Sequence, residues 1–504
     1  MQNAIKQKIK KLSTQILERG ELNRKTAAEY AEKFEKRTGI PGGVGSAKIS
    51  YPHKHFDPLY CKRNANFLAK TIWLKIQNGQ YAPQPALRFE VPKASGGKRP
   101  IMQFSIPDSA VASVLNRRLT LRNLKNQSGN SYAYRPDRNV FDAILKIKSA
   151  ILNKRNFVIQ LDFENYFDSI PHTYLLKLLR SRSMVTISDA ERQVIISFLT
   201  HRYANKSAYS KKAFTHRDNG TPQGSAISLG LANLANHPLD CELEALNGQF
   251  SRYADDTVVL CYSYEDALKA YHAFVAHCDK SGLKINQKKS PGIWILSDVP
   301  EEFRTLKEFK FLGYGISARG LFMHADVVLR LKRKLSRLIN LYLVHYIETH
   351  GPNLNRVGPG FDWDLIGLIS EIRNVLYGGL TEENLEQFIK KGSRLPKMKG
   401  LMGFYALLDE KDALAELDGW LVSTIRQALA KRYKIIAAHG HKVSQPNAKS
   451  LIFGDWYSSY VYNNSTFAPD ARMPSFVRAW SAARKYYFAF GLSNVEAPHY
   501  IAYY

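Results

Sequence analysis

Two aspartates stand side by side at Asp255-Asp256, between Ser251-Arg252-Tyr253-Ala254 and the β-branched run Thr257-Val258-Val259-Leu260-Cys261. The run is short and rich in strand formers, which predicts a buried strand with acids at one end. A second run, Phe157-Val158-Ile159-Gln160-Leu161-Asp162, has the same character and also ends in aspartate. Adjacent carboxylates at the tip of a hairpin repel one another and are costly unless cations neutralise them. A third carboxylate ending a neighbouring strand completes a site for two divalent metals about 3.5–4 Å apart, suited to in-line phosphoryl transfer. An isolated Asp-Asp pair is more often a solvated turn. Two strand-end signals in one strongly basic chain reverse that preference.

The charge points the same way. Lysine and arginine number 72 against 44 acids, a net charge of +28. Such a chain calls for a polyanion, nucleic acid or an anionic membrane surface. No apolar run approaches the roughly 18 residues of a membrane span, and the basic N-terminus has no apolar core of a secretory signal. A cytoplasmic protein bound to nucleic acid, with no membrane partner, is expected. Cys61, Cys241, Cys261 and Cys278 are scattered without a CxxC pair, which argues against a disulfide framework or a zinc knuckle. A length of 504 residues allows two to four domains or subdomains.

Residues 1–40 alternate charge with isolated apolar positions and predict helix, ending at the loop Gly39-Ile40-Pro41-Gly42-Gly43. Residues 86–104 hold two short extended runs joined by Ala94-Ser95-Gly96-Gly97-Lys98, a hairpin signal. Helix is predicted from Pro107 to Leu124. Residues 326–346 repeat apolar positions at Val328, Leu331, Leu335, Leu338 and Tyr342, with Lys332, Arg333, Lys334 and Arg337 on the other faces, the pattern of a basic amphipathic helix. The His53/His55 and His439/His441 pairs are too isolated to mark metal sites.

Tyr253-Ala254-Asp255-Asp256 resembles the YxDD catalytic turn of reverse transcriptases, and the family's other motifs follow in its order. Arg99-Pro100 with Ile106-Pro107-Asp108 resembles the fingers motif of group II intron and retron-type enzymes. Ser131-Tyr132-Ala133-Tyr134-Arg135-Pro136-Asp137-Arg138 resembles their "FGFRPGR" segment, and Asp162 to Asp168 matches the first palm motif. Asn219-Gly220-Thr221-Pro222-Gln223-Gly224-Ser225 with Leu231-Ala232-Asn233-Leu234 matches "G-T-P-Q-G … L-x-N". Gly282 to Ser290 and Phe311-Leu312-Gly313-Tyr314 match the two motifs after the turn. Where the group II pattern has Ser-Pro, this chain has Ser228-Leu229.

The resemblance implies an α+β right-hand polymerase with a helical C-terminal extension: a basic helical N-terminal region at 1–85, fingers and palm at 86–320, a helical thumb at 321–400 and a helical C-terminal domain at 401–504. It implies an RNA-templated DNA polymerase. Asp162 and Asp255 would bind two Mg²⁺ ions, with Mn²⁺ able to substitute, supported by Asp256 and the Phe163 carbonyl. Lys289 matches the lysine proposed to protonate pyrophosphate. Lys98, Arg99 and Arg135 would meet triphosphate or template. Asn165, Tyr166 and Phe167 would line the nucleotide site, with Phe167 as the gate against a sugar 2′-hydroxyl, and Gln223 and Gly224 would lie beneath template and dNTP. Lys332, Arg333 and Arg337 would track a nucleic-acid backbone.

The segments 417–426 and 473–492 resemble parts of the intron enzymes' C-terminal region, and no Cys/His pairs mark a nuclease. Five tyrosines fall in the last 19 residues. Some defence-associated bacterial reverse transcriptases join cDNA to a tyrosine of the protein, which makes Tyr500, Tyr503 and Tyr504 priming candidates. Among those enzymes the chain looks most like the type 9 systems, which pair with a structured noncoding RNA and act as homo-oligomers. The expected role is antiphage defence with a cognate noncoding RNA as template and cDNA as product. A group II intron-derived or retron enzyme primed by nucleic acid is the alternative. A non-catalytic RNA-binding maturase or scaffold is the third reading, against which the three clustered acids argue.

Overall fold

The computed structural model describes residues 1–43, 45, 50–92, 96–152, 155–393, 395, 398–443, 445–458, 460–462, 465–467 and 469–491, with backbone alone between 459 and 468. The chain forms two compact units, Met1–Arg24 with Ser46–Leu312, and Lys25–Gly45 with Gly313–Tyr504. The first helix, Gln2–Thr38, contributes residues to both, and buries Ile5 and Ile9 on its N-terminal part.

The first unit is built on a five-stranded sheet in the order Gly248–Tyr253, Asp256–Cys261, Asn156–Leu161, Gly292–Leu296, Thr305–Leu306. The first four strands are antiparallel and the last pair is parallel. Both β-branched runs singled out in the sequence are central strands of this sheet. Side chains alternate across a strand, so Phe157, Ile159 and Leu161 enter one core with Phe250, Val259 and Cys261. The same core takes Ala267, Ala270 and Phe274 from the helix Tyr264–Ser281 and Leu231, Ala235 and Leu239 from the helix Ala226–Glu244.

The expected hairpin is present as Ala86–Pro92 paired antiparallel with Lys98–Gln103, and a short strand, Arg202–Ala204, extends it. The helix after it, Ile106–Arg122, starts at an N-cap Ser105. Asp108 of its first turn is buried, accepting from the Tyr81 hydroxyl at 2.8 Å, the Ser105 hydroxyl at 2.6 Å and the Gln84 N–H at 3.0 Å. His55 is held neutral by burial, its pKa lowered to about 4; among the described residues no His/Cys/Asp/Glu group gathers as a metal cage.

The second unit begins with a tight hairpin, Tyr314–Ser317 with Gly320–Met323, and continues into the helix Ala325–Asn340. The helix expected over 326–346 is present, widening by a π-type turn at Leu341–His345 and running on through Tyr346–His350. The buried residues are Leu331, Leu335, Ile339, Tyr342, Leu343 and Val344, with Ile339 in place of the expected Leu338. Helices Trp363–Tyr377, Glu382–Lys391 and Asp412–Ala438 complete this unit with Phe476–Phe490. Asp418 accepts from the Ser475 hydroxyl at 2.7 Å and the Phe476 N–H at 2.6 Å, so the two C-terminal segments noted in the sequence meet where one helix caps the next. Tyr486 is buried against Phe388. Among the described residues no helix is long and apolar enough to cross a membrane.

Candidate active site

Strand register places the acids. Leu161 pairs with Thr257, so Asp162, one residue beyond the central strand, falls beside Asp256. Tyr253 pairs with Asp256, so Ala254 and Asp255 form the two-residue tip of the neighbouring hairpin. Ala254 adopts φ +62°, a left-handed conformation that side-chain-bearing residues enter at a cost. A fully buried arginine holds it. Arg252 meets Asp240 with two N–H bonds, at 2.6 and 2.5 Å, and donates to the Ala254 carbonyl at 2.9 Å, the Ser131 hydroxyl at 2.8 Å and the Asn233 side-chain oxygen at 3.2 Å. Asn233 in turn donates to the Ala133 carbonyl at 2.7 Å. No sequence motif singles out Arg252 or Asp240; the available signal is a charged residue in the strand directly before the aspartate turn, since such a charge survives burial only when paired.

The segment after Gly282 runs along the other side of Asp162. Asn286 N–H donates to the Asp162 carbonyl at 2.8 Å and Glu164 N–H to the Lys284 carbonyl at 2.9 Å. This brings Lys289 Nζ to 2.7 Å from Asp162 Oδ2, and the hydrogen bond to that carboxylate raises the lysine pKa. Burial raises the Asp255 carboxyl above its usual range, and the charge of Asp162 adds to the effect. The Asp256 carboxyl is pushed up to about 7, first by burial and then by Asp255.

The three aspartates do not converge as a closed cage among the described residues, and Asp162 is paired with Lys289. The donor set nonetheless fits a hard divalent cation. It consists of carboxylate oxygens, which such cations prefer, and Asp255 and Asp256 are raised first by burial and then by a neighbouring carboxylate, both of which a bound cation would offset. Asp162 and Asp255 would hold the metal, and a bound divalent cation supplies electrostatic stabilisation to phosphoryl transfer.

The remaining predicted residues are distributed unevenly. Phe163 is buried and its ring stacks on Tyr166 at 5.3 Å. Asn165 is exposed at φ +46°. Tyr166 turns into the core, donating to the Ala232 carbonyl at 2.6 Å, so its side chain does not line an open nucleotide site. Phe167 is half-buried beside it. The close approach at Gly224 is to the protein: a Cβ there would stand 2.5 Å from the Met102 carbonyl oxygen, and Met102 N–H donates to the Gln223 carbonyl at 2.7 Å. Arg99 is exposed and near enough to Asp255 to lower its pKa. Lys98 is exposed and paired with Glu90 at 3.0 Å. Arg135 is turned inward, bonded to Asp137 and to the Ser128 carbonyl at 2.7 Å, which leaves it poorly placed for a phosphate. In the second unit Arg333 and Arg337 are exposed, and Lys332 lies over the Trp420 ring at 5.4 Å. Tyr500, Tyr503 and Tyr504 lie outside the described residues.

A mixed sheet backed by helices, a hairpin carrying adjacent aspartates and a third aspartate on the next strand define the palm of a right-hand nucleic-acid polymerase. Residues 91–316 match the family model described as reverse transcriptase (RNA-dependent DNA polymerase), and this part of the chain is similar to proteins encoded within introns. A 91 kDa protein in a cob intron of Schizosaccharomyces pombe is 34% identical over 180 residues, 35% of this chain and 21% of that protein. The group II intron-encoded protein LtrA of Lactococcus lactis subsp. cremoris is 29% identical over 193 residues, 38% of this chain and 30% of that protein. The alignments therefore span under a third of these two relatives. A solved structure of apo telomerase from Candida tropicalis aligns over 52% of this chain and 60% of that one, at 14% identity and a TM-score of 0.35.

Proposed function

We propose that the chain is an RNA-templated DNA polymerase that extends a primer with dNTPs on a structured noncoding RNA, using Mg²⁺ at Asp162 and Asp255. The observation that carries this reading is the register that sets Asp162 beside the Asp255-Asp256 hairpin. In it, Asp162 and Asp255 hold the cation, and Lys289, protonated and hydrogen-bonded at the site, is the donor for the leaving pyrophosphate. Phe167 supports discrimination against the sugar 2′-hydroxyl, and Arg99 supports binding of the triphosphate. The biological setting we propose is antiphage defence, with cDNA started on Tyr500, Tyr503 or Tyr504; the five tyrosines grouped between 486 and 504 support it.

The test is incorporation of dNTPs by the purified chain on primed RNA, compared with Asp255→Ala and Asp162→Ala. Both variants should retain RNA binding and lose synthesis. Near-normal incorporation by either would remove the assignment. DNA that resists denaturation and RNase but is released by proteolysis, and is lost when the terminal tyrosines become phenylalanine, would establish protein priming. The relatives encoded within introns favour a second reading, priming by nucleic acid, and free cDNA from the wild type would select it.

A further inference from the structure

Both oxygens of one carboxylate beside the site are engaged by the loop that carries Gln223. Asp168 Oδ2 accepts from Gln223 Nε2 at 2.6 Å, and Asp168 Oδ1 accepts from Arg217 at 2.9 Å. The same arginine nitrogen also donates to the Thr221 carbonyl at 3.1 Å. Thr221 N–H donates to the Phe167 carbonyl at 2.6 Å, and Gly220 N–H to the Ile170 carbonyl at 3.0 Å. Gly220 lies so close that a Cβ would stand 2.5 Å from the Asp168 carbonyl oxygen. The Gln223 loop is thus laid directly on the turn that bears Phe167.

A carboxylate only accepts hydrogen bonds, so the Gln223 amide must turn its NH₂ toward Asp168, leaving its carbonyl oxygen on the opposite edge. Arg217 sets a guanidinium against the half-buried Asp168 carboxylate at 2.9 Å. We infer that Asp168, held by Arg217, is a positioning residue that fixes which edge of Gln223 is presented to the nascent base pair, and so sets nucleotide selection. The inference rests on the polymerase reading.

Asn at 168 can keep an oxygen on Arg217 only by turning its own NH₂ toward Gln223, which forces the glutamine amide to flip. D168N should therefore raise KM for the correct dNTP about tenfold and lower correct-over-mismatched selectivity by a similar factor, a charge-assisted hydrogen bond being at stake. The maximal rate should move less than about threefold, since a positioning contact is lost but no acid or base of the reaction. Q223E sets two carboxylates against each other and should give the same phenotype while leaving the Asp168–Arg217 pair intact. The double variant D168N/Q223E restores a donor facing an acceptor and should recover most of the lost selectivity, which a merely structural defect would not do.

Single-nucleotide kinetics on primed RNA with Mg²⁺, for matched and mismatched dNTPs, read all three. Wild-type KM and selectivity in D168N or in Q223E, or a double variant no better than either single one, would overturn the inference while leaving an active polymerase. A wild type that incorporates nothing would overturn the polymerase reading and this inference with it.

Discussion

Arg252 closes a two-pronged ion pair on Asp240 inside the protein and reaches the carbonyl of Ala254 with a third N–H at 2.9 Å. The left-handed tip of the aspartate hairpin is thereby fixed from beneath by a charge on its own strand. The helix Ala226–Glu244 provides the counter-charge and, through Asn233, a tie to the segment before Tyr134.

Removing one partner leaves the other charge buried and unpaired. Arg252→Met should cost about 3–5 kcal/mol in chemical denaturation. Pairing it with Asp240→Leu should return much of that stability, because no orphaned charge remains. DNA synthesis should stay low in the double variant, since the Ala254 carbonyl still lacks its donor. Restored synthesis alongside restored stability would mean that Arg252 serves the fold alone.

Lys289 occupies the face of Asp162 that a cation would otherwise neutralise. In Lys289→Met the divalent concentration giving half-maximal synthesis should fall, as the competing charge is gone. The maximal rate should drop about 100-fold if the ammonium serves as general acid. A metal titration of incorporation rate reads both effects, and a rate equal to wild type would exclude the proton-donor role.

Asp108 carries a pH signature. Burial raises its pKa from 3.8 to about 6 against the opposing hydrogen bonds of Ser105, Tyr81 and Gln84. The folded state therefore holds the proton more tightly than the unfolded chain does. This contribution to stability is complete below about pH 4 and is lost as pH rises through about 6, a change of about 3 kcal/mol. Asp108→Asn should be less stable overall because one acceptor becomes a donor. The difference between variant and wild type should narrow between pH 4 and 7 in thermal unfolding; a constant difference would show that Asp108 does not titrate in this range.

RNA binding should weaken steeply with salt, as expected of a chain with net charge +28. Arg333→Glu with Arg337→Glu should reduce the slope of log affinity against log salt by about 2 if each side chain meets a phosphate. An unchanged slope in a filter-binding series would place the nucleic acid elsewhere.

Much of the molecule was legible in the sequence. The runs ending in Asp162 and starting after Asp256 identified themselves as strands through β-branched content, and the hairpin at 86–104 through its turn residues. The stretch 1–40 announced its helix by local pattern, and the carboxylates by standing at strand ends. All of these signals are local or depend on backbone periodicity. Tertiary structure alone decided which side chains face the site. Tyr166 and Arg135 share motifs with exposed neighbours, yet the hydrogen bonds to Ala232 and Ser128 turn them inward. The widening of the long helix at Leu341–His345 follows no sequence punctuation. Arg252 with Asp240, and Asp168 with Arg217 and Gln223, are pairings across 12 to 55 positions. The sequence supplies such charges singly; only packing that removes them from water forces each to a particular partner, because an unpaired buried charge costs more than the fold can tolerate.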